Sequence, residues 1–569
     1  MLRSAFELED GAVLDCDVCV IGAGAGGLAL AHELAGSRLR VIVLAGGGER
    51  ERKRDQSLYA GEVLDPAHHA WSHKYRVRRY GGTTNIWGGR CLKLDAIDFE
   101  QRDYVPESGW PFGLAELDPY YDRAAAYCEI GPPLFDAARA LPDQLAALVP
   151  GLDGEEIIST TIERFSRPTD FATLLRRNLQ EAGSVTVLLD AHCTRLGGTE
   201  SGQAIESAEC ATFRPSRFQV RAREFVLAAG GIESTRLLLA AAAAPTGRLA
   251  LASPWLGRGY MCHLIGTVGL ARFTAPPAAI QFDYHRSPDG IYCRRRFWVT
   301  PEEQRRRRML NVIFRLTHAP INDPAHGDPV LSAMYLVKDF ILYEYSRKMR
   351  AQRTWRQFAG HVGNVMANPV ALARFATRWV RHRNLSARQL PSVVLYSRTA
   401  SYALEFQSEQ APDPASQIRL SDTTDAFGAP QAIIDWRCNA LDVESVRQGY
   451  LALRQAMQRS GAGTLELDED RLEAAIRQDG AVGGHHIGTL RIGATPARGV
   501  VDAQARVHGV RNCSVASAAI MPTSGTANPT YTITALAIRL ADRLRAELAE
   551  APPRALPARA RPAEERVPA

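Results

Sequence analysis

One stretch constrains the fold more than any other. The β-rich run Asp17 to Ile21 leads into Gly22-Ala23-Gly24-Ala25-Gly26-Gly27, and a helical pattern follows from Leu28 to Leu34. In Gly22-x-Gly24-x-x-Gly27, the glycines permit a tight turn, close approach of backbone to a pyrophosphate, and close helix-to-strand packing. The N-terminus of the helix then faces phosphate charge. A second strand, Val41-Ile42-Val43-Leu44, follows at the distance expected for a βαβ start. Glycine patterns of this kind also occur as structural turns, and the flanking strand and helix make this one a dinucleotide-binding signature. One element departs from the pattern. The acidic residue expected to accept the ribose hydroxyls is replaced by Ala45, which leaves Glu49, backbone or water to satisfy them.

The rest of the chain must be large enough to serve that site. At 569 residues it exceeds one compact domain about threefold. With 46% hydrophobic and 23% charged residues it has the composition of a globular chain, which excludes a mainly disordered protein or a disulfide scaffold. A net charge of +6 over this length argues against nucleic acid as the main partner. The ten cysteines are scattered, as in a reducing compartment. Cys16-Asp17-Val18-Cys19 has no second pair to complete a zinc site, so no metal is expected. Met1 to Asp10 lacks the basic start and apolar core of a secretory signal, and the apolar stretch Leu237 to Ala244 is too short to span a bilayer. A cytoplasmic location is expected.

Three further segments carry more information. Gly81-Gly82-Thr83-Thr84-Asn85-Ile86-Trp87-Gly88-Gly89 allows backbone to approach a flat ligand. Val226-Leu227-Ala228-Ala229-Gly230-Gly231-Ile232-Glu233-Ser234 repeats the strand, small-residue turn and helix logic. Near the C-terminus stand Gly484-His485-His486-Ile487-Gly488-Thr489-Leu490-Arg491-Ile492-Gly493 and Met521-Pro522-Thr523-Ser524-Gly525-Thr526-Ala527-Asn528-Pro529-Thr530. With Ser108-Gly109-Trp110-Pro111-Phe112 and Leu256-Gly257-Arg258-Gly259, these blocks closely resemble the glucose-methanol-choline (GMC) family of FAD-dependent oxidoreductases in its His/Asn form. The resemblance spans both ends of the chain and is weakest from about residue 270 to 400.

The resemblance implies an α/β fold. A Rossmann-like FAD-binding domain is assembled from discontinuous segments, 12–95, 183–270 and 484–548. An inserted α+β substrate-binding domain and cap, with a mainly antiparallel sheet, takes 96–182 and 271–483. The residues it places against FAD are Gly22, Gly24, Ala25, Gly26, Gly27 and Glu49; Gly81, Gly82, Thr83, Asn85, Ile86, Gly88 and Gly89; and Cys193, Ala229, Gly230, Ser517, Asn528, Pro529 and Thr530. In the family, a histidine at the position of His485 takes the proton of a substrate hydroxyl while hydride passes to flavin N5, and a residue at the position of Asn528 hydrogen-bonds the same oxygen. The residue types suit those roles independently. Neutral imidazole has an intrinsic pKa of about 6.5, and an amide offers a donor and an acceptor without titrating. His486 is the competing candidate for the base. Asn528-Pro529 also has the form of a helix start, whose positive end would face the reduced flavin; the alternative is that Asn528 merely caps that helix. Family members often carry an acidic residue where Ser517 stands. Thr84-Asn85-Ile86-Trp87 offers no histidine for a covalent link, so FAD is expected to be held non-covalently.

Between Lys338 and Arg388, eleven Lys or Arg residues stand against Asp339 and Glu344, interleaved with Trp355, Phe358, Phe375 and Trp379. A basic helical insertion over 331–390, broken near Asn368-Pro369, is expected, either as a solvated face with a core-facing aromatic stripe or as a surface for an anionic membrane or acidic substrate. Residues 551–569 have the composition of a disordered tail. The expected activity is oxidation of an alcohol group of a sugar or polyol-like metabolite, with oxygen, a quinone or a partner redox protein as electron acceptor. The rivals are a flavin-containing lyase of the same fold and a non-catalytic flavoprotein that binds a membrane or partner through its basic helices.

Overall fold

A computed structural model describes residues 1–337 and 354–550, apart from Pro215, Pro320, Tyr396, Arg398, Val482 and Gly483. Residues 338–353 of the basic insertion and the 551–569 tail fall outside the described residues.

The strand Ala12–Ile21 is half-exposed where it begins and buried from Val18 to Ile21, which explains why its sequence turns continuously apolar. It lies inside an eight-stranded sheet in the order Leu2–Ser4, Val185–Leu189, Val41–Leu44, Ala12–Ile21, Arg217–Leu227, Ile205–Ala211, His192–Gly198, with Cys513–Val515 also pairing to Arg217–Leu227. The first five strands and Cys513–Val515 run parallel, and the other two form an antiparallel meander. Register places Ile21, Leu44, Leu188, Leu227 and Val515 side by side. The carboxyl ends of five strands, drawn from widely separated parts of the chain, thus share one edge.

A second, six-stranded sheet is antiparallel throughout: Gly463–Glu466, Leu264–Phe273, Ser401–Ser408, Val312–Thr317, Phe297–Val299, Ile157–Ile158. Helix Ala440–Ser460 packs on one face, where Tyr450 meets Phe314 at 4.7 Å between ring centroids. The pairs Arg315↔Glu405 and Thr267↔Glu405 share a face, and period-two alternation adds Ile265, Gln407 and Thr317 to it. That face looks toward the carboxyl edge of the first sheet.

The expected boundaries need revision in three places. Strand Leu264–Phe273 crosses residue 270 and belongs to the antiparallel sheet. Helix Phe171–Glu181 packs on helix Ala25–Leu34 and strand Val185–Leu189, so it sides with the nucleotide sheet. Leu2–Ser4, ahead of residue 12, supplies that sheet's edge. The two strands were missed because their pairing partners lie more than a hundred residues away, and the helix because most of its packing is against the equally remote Ala25–Leu34. The basic insertion forms helices Trp355–Ala367 and Pro369–Trp379, with the Asn368 side chain accepting from the backbone N–H of Ala371 to start the second.

Candidate active site

The two sheets enclose a cavity of about 1130 Å³ at the carboxyl edge of the parallel strands, the position at which open α/β sheets bind ligands. Gly22, Gly24, Ala25 and Gly26 line the cavity. The glycines do different work. A Cβ on Gly22 (φ +115) would sit 2.5 Å from Ala228 O, and one on Gly26 would sit 2.3 Å from Ala516 O. A Cβ on Gly24, Gly88 or Gly230 would meet nothing within 4 Å. The first pair lets the backbone pack closely; the other three leave open space in the cavity wall.

Gly82, Thr83, Ile86, Gly88 and Gly89 line it too, as do Cys193, Ala229, Gly230 and Ser517. Asn528, Pro529 and Thr530 close it at the start of helix Pro529–Glu550. Four expected contacts lie elsewhere. Gly27 faces inward, where a Cβ would come 2.0 Å from Gly22 O, so it permits helix-to-strand packing. Gly81 (φ +90) is boxed in by Asn85 and Asp170, and Asn85 donates to Tyr80 O and Gly82 O at 3.0 and 2.7 Å, shaping the loop from behind. Glu49 is exposed and forms an ion pair with Arg176 outside the cavity; a basic residue on a neighbouring helix captures it. A buried acid that does line the cavity is Glu233, on helix Gly231–Ala243. Burial opposes its charge, but Arg236, Arg76 and Arg78 hold its pKa down to about 2.

His485 and Asn528 both line the cavity. His485 Nδ1 lies 2.6 Å from His263 Nδ1, and His263 Nε2 lies 3.2 Å from Ser524 O. Burial, His263 and Arg90 hold the His485 pKa well below the ordinary 6.5. The Asn528 Oδ1 accepts from Gln407 Nε2 at 3.2 Å, and the same Nε2 donates to Thr526 O at 2.6 Å. Among the described residues no helix N–H donates to the Asn528 side chain, so the amide is not spent on a cap and its NH2 group remains for the cavity. Arg90 Nη1 donates to Gln407 Oε1 at 3.3 Å. Behind it, Arg315 Nε donates to Glu163 Oε1 at 2.9 Å and Arg315 Nη1 approaches Glu405 at 3.5 Å.

The adjacent His486 also borders the cavity, but its Nε2 is sealed inside the protein. Its Nδ1 lies 2.7 Å from the Tyr260 hydroxyl, which also meets His69 Nε2 at 2.9 Å and Cys262 Sγ at 3.3 Å. His69, Cys262 and His486 bring ligand atoms within 4.8 Å of one another, but the Tyr260 hydroxyl bonds to all three and holds the place a metal would need.

Comparison with known proteins decides the class. Residues 17–332 match the family model described as FAD dependent oxidoreductase, and residues 412–537 match the one described as GMC oxidoreductase. The chain belongs to the FAD-dependent GMC oxidoreductases. This GMC oxidoreductase is 25% identical to paromamine 6'-oxidase of Streptomyces fradiae, covering 94% of this chain and 92% of that one. It is 22% identical to 2-methyl-1,2-propanediol dehydrogenase of Mycolicibacterium austroafricanum, covering 92% and 94%. Among solved structures, pyridoxine 4-oxidase from Mesorbium loti has the same fold (TM-score 0.56, 17% identity, covering 93% and 99%).

The cavity fits FAD on its own terms, since Gly24, Gly88 and Gly230 leave room in its wall and Arg78 and Arg79 line it. A Gly26→Ala GMC oxidoreductase, with its methyl driven into Ala516 O, is expected to purify without flavin; the visible absorption spectrum of the purified protein checks this. His263, Gln407 and Arg90 leave no local signal in the sequence, because their partners lie 222, 121 and 317 positions away, and only Leu256-Gly257-Arg258-Gly259, just before His263, hinted that this stretch approaches the site. Glu233 stands within the 226–234 segment, but its residue type alone did not mark it.

Proposed function

We propose that the protein oxidises a secondary or primary alcohol of a sugar or polyol-like metabolite to a carbonyl, with His485 as the base and Asn528 as the ligand of the alcohol oxygen. The observation that carries this is that both line one cavity and that each is held by a buried partner, His263 and Gln407. FAD, when bound, supplies the hydride acceptor. The Gly22–Gly26 turn, the Gly82–Gly89 loop and the Ala229-Gly230 turn would hold it non-covalently, and Ser517, Pro529 and Thr530 would border it at the second helix start. His485 takes the hydroxyl proton, and the Asn528 NH2 group donates to the oxygen as it gains charge.

The remaining wall suits a hydroxylated ring. Thr267, Glu405 and Arg294 offer polar groups, while Phe282, Tyr284 and Trp379 offer aromatic faces. Phe375, Trp379 and Arg383 bring the basic helical insertion into that wall, which favours a substrate-facing role for its second half over a membrane surface. No described helix is long and apolar enough to cross a membrane.

The test is an anaerobic screen of the FAD-loaded protein with paromamine, simple pyranoses and 2-methyl-1,2-propanediol, watched at the flavin band. Bleaching by a hydroxylated sugar or diol supports the proposal, and reoxidation by air against a quinone dye then identifies the acceptor. Turnover without bleaching would favour a lyase. Because the His485 pKa is depressed, the base is already neutral through the ordinary histidine range. The reduction rate is therefore expected to stay flat as pH falls through 6.5 and to drop only below it; stopped-flow reduction across a pH series measures the position of that limb.

A further inference from the structure

His263 is fully buried behind His485, one residue before strand Leu264–Phe273. The proton positions along this pair follow from the groups at its ends. A backbone carbonyl oxygen only accepts, so the 3.2 Å contact to Ser524 O requires a hydrogen on His263 Nε2. Burial pushes the His263 pKa down to about 4, so near neutral pH the ring holds that one hydrogen and its Nδ1 is a lone pair. His485 Nδ1, 2.6 Å away, must be the donor to it. In a neutral His485 the bare nitrogen is then Nε2, which has no hydrogen-bond partner among the described residues, on a side chain that lines the cavity.

We infer that His263 is a positioning residue that locks His485 in its Nδ1–H tautomer and so leaves Nε2 as the atom that receives the alcohol proton. This rests on His485 being the base. In the oxidation the alcohol O–H bond breaks and its proton goes to Nε2; the carbinol C–H bond breaks and its hydride goes to the bound FAD. His485 becomes an imidazolium that still donates from Nδ1, and the His263 lone pair stabilises it more strongly than the neutral ring.

The same accounting separates His485 from its neighbour. His69 Nδ1 lies 2.7 Å from Ala70 O and therefore carries hydrogen, so His69 Nε2 accepts from the Tyr260 hydroxyl, whose oxygen in turn accepts from His486 Nδ1–H. His486 also ends with a bare Nε2, but that atom is sealed inside the protein. Both rings are held in the same tautomer, and only the one behind which His263 stands presents its free nitrogen to the cavity.

The experiment has two readouts on FAD-loaded protein. Histidine-selective nitrogen NMR, with the His485 signals identified by their loss in His485→Ala, should show a pyrrole-type Nδ1 and a pyridine-type Nε2, and a mixture of tautomers in His263→Leu. The opposite tautomer in the wild type, or an unchanged one in His263→Leu, would overturn the inference without reference to any substrate. The second readout is anaerobic flavin reduction by paromamine or 2-methyl-1,2-propanediol, whichever bleaches the wild type faster. His263→Leu and His263→Gln should lower the limiting reduction rate roughly 10²-fold with little change in half-saturation. His263→Asn, which keeps an acceptor near the Nδ1 position, should recover to within about tenfold of the wild type, a difference of about 1.4 kcal/mol. A purely structural role in bracing Ser524 would invert that order, because Gln reaches the carbonyl and Asn does not. Flavin content of each variant separates slow chemistry from misfolding. If His485→Ala reduces normally, the assignment of the base fails; if His485→Ala is slow while His263→Leu is not, only the positioning role fails.

Discussion

Replacement of His485 by alanine is expected to slow anaerobic flavin reduction roughly 10²- to 10⁴-fold while the protein retains its FAD. The size follows from what is removed. In the role proposed for it, His485 would contribute proton transfer in the transition state and little to ground-state binding, so the loss should fall on the limiting rate. The vacated space opens against buried His263, which then faces the cavity with its own Nδ1 lone pair. Retention of flavin is expected because the glycine turns and the helix start that would hold it belong to other segments. Stopped-flow spectroscopy reads both quantities in one experiment, and a reduction rate within threefold of the wild type would remove His485 from the chemistry.

Arg315→Leu should produce the largest loss of stability. The guanidinium lies fully buried between Glu163 and Glu405, and burial alone would raise the Glu163 pKa were it not for Arg315 and Arg90, which hold it down to about 2. Leucine leaves Glu163 with Arg90, whose Nε lies 3.5 Å away, and the weaker influence of Arg296. Breaking one side of such a pair costs about 3–5 kcal/mol, since a charge remains buried without its partner. The pH dependence has a definite sign. A carboxylate with a depressed folded pKa contributes stability that is fully present above its unfolded value of 4.5 and is lost as pH falls toward about 2. The gap between wild type and variant should therefore be widest near neutral pH and narrow below 4.5. Urea denaturation at two pH values measures it, and a double replacement with Glu163→Leu should recover part of the loss.

What could be read from the sequence divides along a physical line. The Gly22–Gly27 and Ala229-Gly230 turns are legible because each is a local pattern whose residue types already specify geometry, whereas His485 and Asn528 are singled out by the family resemblance. Glu49 misled because proximity along the chain suggested a ribose contact, and Arg176, on a neighbouring helix far along the chain, decided otherwise. His263, Gln407 and Arg90 were invisible because they act through partners that only the tertiary fold brings near. The domain boundaries went astray at Leu264–Phe273 and Phe171–Glu181, where an apolar strand or helix reads alike whichever core it joins.

The shared edge of the parallel sheet has a consequence for how the protein is made. Strand Ala12–Ile21 leaves the ribosome long before Cys513–Val515, which completes the edge it helps to form, and helix Ala25–Leu34 packs on the equally late Pro529–Glu550. Segments synthesised first must wait for those made last. The nucleotide half cannot close until Cys513–Val515 and Pro529–Glu550 have been made, so cofactor capture must wait for them. Shortening the protein by even its final two dozen described residues should abolish cofactor loading, whereas equal losses from the outer rim of the substrate wall would spare it.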